Sequence, residues 1–367
     1  MPNAIAMDVL DTAQLNPAKV LKLVQDLDMA AVTIVQGTYP KEAMACAQLI
    51  HREAPKVMIG YRIIRDDLKD EDAPFKQTPQ QWCDRFALPL DLGFYCAVFN
   101  ESLANPMSAI SKFSVECLNL TAIKGQRTMH FKVSPGNPGQ GQPRDTRPDG
   151  YAEMDDLWKS IAKANKPFID AGQFPLAIVA PHEYFAFTGP INSVTGRFKN
   201  IYRRLDAQVP PIDHKYVPMH IGETGIMYVR PDGSLDSGKG YLNVNGAVIA
   251  DRTYAQLWAQ VMIQWYMQDD VVNHAFAVGH SVGGDFASFD LLDHDDFWNE
   301  LKTIANKGIL RLKRWYGNAD GPYNPPPPVT PPPVVPTVAV LRSPDGKFSV
   351  RVVVANGGSI SFEVLPQ

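Results

Sequence analysis

Short apolar runs alternate with longer amphipathic segments along the chain up to about residue 317. An apolar run without polar alternation is typical of a strand buried on both faces, as in a parallel sheet. The segments between these runs carry apolar residues at helical spacing, and several begin with proline at the first helical position. The predicted strands and the helices that follow them are 4–10 with 17–29, 31–36 with 40–52, 56–64 with 79–88, 94–100 with 107–120, 128–133 with 154–165, 176–181 with 197–208, 216–221 with 254–268, and 274–279 with 295–306.

This alternation predicts an α/β fold in which helices wrap a parallel sheet. About eight strand–helix units in series predict a closed (β/α)8 (TIM) barrel. An open doubly wound sheet is the alternative. It would need a glycine-rich phosphate turn after the first strand, whereas the segment MDVLDTAQ contains no glycine.

The composition changes after Gly317, where proline becomes dominant. The segment NPPPPVTPPPVVP predicts a semi-rigid polyproline II spacer. Three short strands joined by Pro-Asp-Gly and Asn-Gly-Gly turns are predicted beyond it, at 338–342, 347–354 and 359–364. The predicted domains are a catalytic barrel at 1–317, a Pro-rich linker at 318–336 and a small antiparallel β module at 337–367.

Charge and hydropathy argue against several classes of partner. A net charge of -4 and a pI near 6.1 give no basic face for nucleic acid. No apolar run reaches the length of a membrane span, so no membrane partner is expected. The four cysteines form no CxxC pair and lie at no metal-ligand spacing relative to histidine, which predicts buried free thiols.

The N-terminal segment MPNAIAMDVLD lacks the basic and apolar regions of a signal peptide. The modular, proline-linked layout is nevertheless compatible with an extracellular enzyme. The sequence carries no signal for an oligomeric state.

Two of the predicted strands end in carboxylates. The run FYCAVFNES ends the fourth strand at Asn100-Glu101, and VPMHIGETG ends the seventh at Glu223. Parallel α/β barrels place their chemistry at the carboxyl ends of the strands. Two carboxyl groups facing each other across a sugar are what glycoside hydrolysis needs: one remains protonated to release the leaving group, and the other remains ionised.

With Asn-Glu ending strand four and Glu ending strand seven, the barrel resembles the clan-A retaining glycoside hydrolases, also called the 4/7 superfamily. The resemblance implies cleavage of a β-glycosidic bond in an oligo- or polysaccharide by double displacement, with no cofactor and no metal. It implies that Glu101 is the acid/base, Glu223 the nucleophile and Asn100 the partner of the sugar 2-hydroxyl. Arg62, at the end of strand three, is expected to be the cation beside the nucleophile.

The resemblance also gives roles to the ends of strands six and eight. Strand six ends in APHEY, where His182 and Tyr184 are expected to bind substrate or contact the nucleophile. Strand eight reads AFAVGHS, so His280 stands in the region where the family often has a tryptophan. Asp8 and Asp11, after strand one, are expected either to bind hydroxyl groups or to cap the first helix.

Three alternatives remain open from the residues themselves. Glu183 is the rival for a catalytic carboxylate, although it lacks the preceding asparagine. A non-catalytic carbohydrate-binding barrel would not need the pair Glu101 and Glu223. A metal-dependent barrel hydrolase would use the histidines near strand ends, but the first strand has no His-x-His sequence.

Overall fold

The computed structural model describes residues 1–10, 15–64, 76–100, 107–132, 150–185, 198–226, 228–229, 235–236, 252–269, 271–278, 291–316, 337–342, 349–354 and 360–365. Of these, the backbone alone is described at 184–185, 228–229, 235–236, 265, 268, 273–278, 337–342, 349–354 and 360–365. The chain divides into two compact units, unit 1 at Met1–Pro325 and unit 2 at Pro326–Gln367.

Strands and helices alternate in unit 1. Its strands are β1 (Asn3–Leu10), β2 (Met29–Gln36), β3 (Met58–Ile63), β4 (Tyr95–Ala97), β5 (Thr128–His130), β6 (Ala177–Val179), β7 (His182–Phe185), β8 (His220–Ile226), β9 (Tyr228–Val229), β10 (Leu235–Asp236) and β11 (Val272–Val278). Its α-helices are α1 (Pro17–Asp26), α2 (Pro40–Glu53), α3 (Pro79–Arg85), α4 (Ala87–Asp91), α5 (Met107–Ala122), α6 (Asp155–Asp170), α7 (Phe198–Asp206), α8 (Tyr254–Val261) and α9 (Asp295–Ala305).

Nine of these strands form one curled sheet in the described part of unit 1, in the order β6-β5-β4-β3-β2-β1-β11-β8-β7. Its strand pairs are parallel. The strands at the two ends of this order, β6 and β7, are separated in the chain only by Ala180 and Pro181. The predicted parallel α/β architecture is therefore confirmed. The curled sheet has a concave face and a face covered by helices.

Local sequence explains where several helices begin. Asn16 accepts hydrogen bonds from the amides of Ala18 and Lys19, and Pro17 occupies the first turn of α1. Thr78 and Thr253 each form a reciprocal capping box with a glutamine three residues later, before α3 and α8. These caps satisfy amide groups that the first helical turn leaves without partners.

Several predicted boundaries need correction. The fourth strand ends at Ala97, so Asn100 lies three residues beyond the strand and not at its end. The helix predicted at 79–88 is two helices, because Pro89 lacks the amide that would continue the α-helical hydrogen bonding of α3. The helix predicted at 17–29 ends at Asp26, since Asp28 has a φ of 45° and Met29 starts β2. The helix predicted at 254–268 changes at Met262 into a π-helical turn and then a 3-10 turn. The seventh strand begins at His220 rather than at residue 216, so Glu223 lies within the strand and not at its end.

Backbone hydrogen bonds join residues 2–4 to residues 310–312 of unit 1. The Ala4 amide donates to the Leu310 carbonyl at 2.7 Å, and the Leu312 amide donates to the Pro2 carbonyl at 3.0 Å. Between them, Asn3 and Arg311 form an antiparallel bridge. This short clasp connects the residue that starts β1 to the segment that follows α9.

Unit 2 contains three strands, β12 (Thr337–Arg342), β13 (Ser349–Val354) and β14 (Ile360–Leu365). They pair antiparallel in chain order. The positions agree with the predicted strands to within two residues.

Candidate active site

The sequence-predicted nucleophile contacts a cation across the concave face of the sheet. Glu223 lies on β8 and Arg62 on β3, and these strands are not neighbours in the sheet. The Arg62 Nη1 atom donates to the Glu223 Oε1 atom at 3.2 Å. The two side chains are 12% and 8% exposed, so water screens this ion pair little. The contact brings together two residues that are 161 positions apart in the chain.

His182 holds the other oxygen of the same carboxylate. It is the register partner of Glu223 between the parallel strands β7 and β8, and its Nδ1 lies 3.4 Å from Glu223 Oε2. Burial lowers the pKa of the His182 imidazole to about 3. The Lys132 and Arg62 cations also lower it, against the Glu223 and Asp8 carboxylates. His182 is therefore neutral near pH 7, and its Nδ1–H tautomer can donate to Glu223.

A second ion pair, between Lys132 and Asp8, crosses the same face. Lys132 follows β5 and is fully buried, while Asp8 lies on β1 and is 3% exposed. The Lys132 Nζ atom lies 3.8 Å from Asp8 Oδ2 and 3.4 Å from the carbonyl oxygen of Gly222, the residue before Glu223. Two buried cations therefore accompany two buried carboxylates in this part of the concave face.

Gly222 is needed for this close packing. A β-carbon built at position 222 would lie 2.6 Å from the Ala180 carbonyl oxygen and 3.2 Å from Lys132 Nζ. The first distance is shorter than real side chains allow, and the carbonyl belongs to the backbone between β6 and β7. A side chain at position 222 would thus displace either β8 or the neighbouring strand.

Asn100 lies after β4, and its side chain is 2% exposed. Its Oδ1 atom has no hydrogen-bond partner among the described residues. A buried amide oxygen without a partner carries a desolvation cost that a ligand hydroxyl would relieve. This environment fits a group that binds a sugar hydroxyl.

The rival carboxylate Glu183 faces the helices. Its register partner is Thr224, one residue beyond Glu223, and successive strand residues point to opposite faces. Its Oε1 accepts from the Phe198 amide at the start of α7 at 2.7 Å, and its Oε2 accepts from the Tyr266 hydroxyl at 2.9 Å. Burial and the Glu183 carboxylate raise the pKa of the Tyr266 phenol, which therefore stays a donor. These contacts assign Glu183 a structural role.

The remaining predicted residues are only partly described. Glu101, Asp11 and His280 lie outside the described residues, and for Tyr184 only the backbone, paired with Gly225, is described. Of the predicted set, the structure brings Arg62, His182 and Glu223 together. The described residues contain no cluster of three or more His, Cys, Asp or Glu side chains that could hold a metal ion. The four cysteines are buried and unpaired in disulfides.

Comparison with solved structures finds proteins of similar fold. The fold resembles that of two endo-β-1,4-glucanases. Both come from Xanthomonas axonopodis pv. citri. The first has a TM-score of 0.50 at 9% identity and covers 85% of this chain and 100% of its own. The second, a triple mutant, has a TM-score of 0.51 at 8% identity and covers 84% of this chain and 100% of its own. At such low identity the likeness shows the fold alone.

No protein family and no curated protein matches the chain by sequence. In the described part of the chain, no helix is both long and apolar enough to span a membrane.

Proposed function

We propose that this protein is a retaining glycoside hydrolase that cleaves β-glycosidic bonds in an oligo- or polysaccharide. The observation that carries this proposal is the Glu223 carboxylate, which is buried on the concave face between the Arg62 guanidinium and the neutral imidazole of His182. An ionised carboxylate fixed at both oxygens by donors is pre-oriented for attack on an anomeric carbon. The likeness in fold to two endo-β-1,4-glucanases supports the same class of substrate.

The proposed fold is a closed (β/α)8 barrel of the clan-A type. Its support is that β6 and β7, at opposite ends of the strand order, are one chain segment interrupted by two residues. Around that interruption, the Ala180 amide donates to the His130 carbonyl at 2.8 Å, and the Gly222 amide donates to the Pro181 carbonyl at 2.9 Å. Counting β6 and β7 as one strand gives eight parallel strands.

The four charged residues support the same barrel. Asp8, Arg62, Lys132 and Glu223 come from the first, third, fifth and seventh strands when β6 and β7 are counted together. In a closed eight-stranded barrel, the side chains of one interior layer come from alternate strands. The contacts Arg62–Glu223 and Lys132–Asp8 each cross between strands that are not neighbours, as within such a layer.

In the proposed mechanism Glu223 attacks the anomeric carbon while Glu101, as general acid, protonates the leaving oxygen. Glu101 then acts as a base on the water that releases the sugar. Asn100 binds the 2-hydroxyl, and Tyr184 and His280 complete the substrate site. The two carboxyl groups are expected to lie about 5–5.5 Å apart. Unit 1 up to residue 317 would form the catalytic domain, followed by the linker 318–336 and the β module 337–367.

A fluorinated glycoside tests this function directly. A dinitrophenyl 2-deoxy-2-fluoro-β-cellobioside should react once and leave a covalent adduct, because the fluorine slows both steps while the good dinitrophenolate leaving group speeds only the first. Peptide mapping by mass spectrometry should find the adduct on Glu223. Glu223→Gln should prevent labelling, while Glu116→Gln, which changes an exposed glutamate on α5, should not. An adduct on another carboxylate would move the nucleophile, and no adduct with any β-glycoside tried would remove the retaining mechanism.

The two roles can be separated with azide. Glu101→Ala should still form the intermediate from a dinitrophenyl glycoside, and azide should restore turnover as a β-azide product. Glu223→Ala has lost the attacking group, so azide should give only the α-azide. Exchange of the two anomers would show that the roles are reversed.

A further inference from the structure

Residue 131 changes the direction of the chain after β5. Met129 points to the concave face, because its Cε would lie 2.5 Å from a β-carbon at Gly60, on the same strand face as Arg62. In a continuous strand Phe131 would point the same way. Instead its ring packs against Trp158 of α6, with the ring centroids 5.0 Å apart, so Phe131 faces the helices.

The backbone angle explains this reversal. Phe131 has a φ of 58°, a left-handed conformation that a bulky residue rarely adopts. Such conformations persist where the surrounding packing enforces them, and they are frequent at functional sites. The turn shifts the strand alternation by one residue. Lys132 consequently points to the concave face, as its contact with Asp8 across the sheet demonstrates.

Lys132 then contacts the strand that carries Glu223. Its Nζ lies 3.4 Å from the carbonyl oxygen of Gly222, and a β-carbon at position 222 would crowd this ammonium at 3.2 Å. A fully buried ammonium is costly unless it is paired. Asp8 supplies the opposite charge at 3.8 Å. The unusual backbone at Phe131, the glycine at 222 and the buried carboxylate at Asp8 thus converge on one ammonium group.

We propose that Lys132 is a positioning residue for Glu223: through the Gly222 carbonyl and the Asp8 carboxylate it fixes the segment of β8 that carries the reacting carboxylate. The inference rests on the proposed function for the reaction that Glu223 performs. The contacts themselves do not depend on it. Lys132 also keeps the surroundings of Glu223 electrically balanced, since it and Arg62 offset Asp8 and Glu223.

The charge of Lys132 also affects the pKa of His182. The groups that act on the His182 ring are Glu223 and Asp8, which favour its protonation, and Lys132 and Arg62, which oppose it. The effect of Lys132 exceeds that of Asp8. Removal of both members of the Lys132–Asp8 pair should therefore raise the pKa of His182, even though no net charge has been removed from the site.

The experiment uses the full chain and three variants. Lys132→Met alone removes the cation beside the buried Asp8 carboxylate, and it is expected to lower the urea midpoint of unfolding. Asp8→Asn combined with Lys132→Met removes both charges and should fold with a higher midpoint than the single variant. Lys163→Met, which removes an exposed lysine from α6, controls for the loss of a positive charge.

The first readout is the pKa of the His182 ring, measured by NMR of ring-labelled histidine as the pH is lowered from 7 to the point of acid unfolding, with His182→Gln to assign the signal. The Lys163→Met ring should titrate as the wild-type ring does. In the double variant the pKa of the ring should lie above the wild-type value, because Lys132 lowers this pKa more than Asp8 raises it. The second readout is hydrolysis of a dinitrophenyl β-glycoside. There kcat should fall at least about tenfold in the double variant while KM changes by less than about twofold.

If the wild-type chain hydrolyses the glycoside, the proposal requires both the change in His182 titration and the fall in kcat. The absence of either one overturns it. A double variant with wild-type His182 titration and wild-type kcat would make Lys132 a purely structural residue. If the wild-type chain cleaves no glycoside, the proposed function fails independently. The NMR readout then decides alone, and an unchanged His182 signal overturns the inference.

Discussion

Three histidines are buried among the described residues, and two of them, His130 and His182, should make this protein sensitive to mild acid. Burial lowers the pKa of His130 from 6.5 to about 3, and that of His182 falls to about 3 as well. In the unfolded chain both rings titrate at their ordinary pKa, near 6.5. Below this pH the unfolded state binds protons that the folded state does not. The histidines therefore contribute their full stability above pH 6.5, and this contribution is lost progressively as the pH falls from 6.5 towards 3.

The size of this loss in unfolding free energy follows from the lowered pKa of the two histidines. At pH 5 the unfolded chain lies 1.5 units below the ordinary histidine pKa of about 6.5, and each unit corresponds to about 1.4 kcal/mol. Each histidine should therefore cost about 2 kcal/mol of unfolding free energy between pH 7 and pH 5, and the two together about 4 kcal/mol. This is a large share of the about 5–15 kcal/mol that ordinarily stabilises a domain.

Urea unfolding at pH 7 and pH 5 measures the effect. All six tryptophans precede residue 317, so their fluorescence reports unit 1 alone. His130→Gln should reduce the loss of stability between the two pH values by about 2 kcal/mol, and so should His182→Gln. The double variant should lose about 4 kcal/mol less than the wild type. The pH-dependent difference, unlike the absolute stability, is insensitive to packing defects that the substitutions introduce. Equal wild-type stability at both pH values, or a full loss retained in the double variant, would refute the reasoning.

Three further predictions concern the site and the units. Gly222→Ala should destabilise unit 1 by about 1–3 kcal/mol in urea unfolding, because the new methyl meets a backbone carbonyl, and it should also lower activity. Position 308 has open space around it and a φ of +74°, so Gly308→Ala should cost only about 1 kcal/mol and spare activity. Equal losses of stability in Gly222→Ala and Gly308→Ala would contradict the steric argument. Glu183→Gln should lower stability by about 1–3 kcal/mol yet retain kcat within about tenfold, unlike Glu223→Gln. Removal of Pro326–Gln367 should leave the fluorescence-detected midpoint unchanged, whereas a large fall would show that unit 2 supports unit 1.

The sequence predicted the alternation of strands and helices well, because it rests on the periodicity of apolar residues. The boundaries that were wrong have local causes. The helix predicted at 79–88 breaks at Phe86, because Pro89 has no amide to donate to the Arg85 carbonyl one turn earlier. Residues 216–219 read as the start of a strand, yet His214–Tyr216 forms a 3-10 turn in which Asp213 caps the Lys215 amide. Such short-range competition between turn and strand is not visible in apolar periodicity.

The candidate site was predicted in part. The cluster of Arg62, His182 and Glu223 followed from a resemblance to a family, not from the periodicity of the chain. The rejection of Glu183 as the rival carboxylate required the register of β7 against β8, which a single sequence does not contain. Lys132 was missed because strand alternation groups it with Thr128 and His130, residues of the helix-covered face. The left-handed backbone of Phe131 turns Lys132 to the concave face instead. A phenylalanine in a sequence does not indicate such a backbone conformation.

The clasp between the ends of unit 1 bears on how freely its sequence order can be rearranged. Residues 2–4 and 310–312 are held together by backbone hydrogen bonds, so the start of β1 and the segment after α9 are already adjacent in space. A peptide of a few residues can bridge this junction. New termini could then be opened at the exposed turn 171–173, between α6 and β6. The fold would then tolerate circular permutation, and a partner protein could be inserted at that turn without interrupting a strand of the sheet.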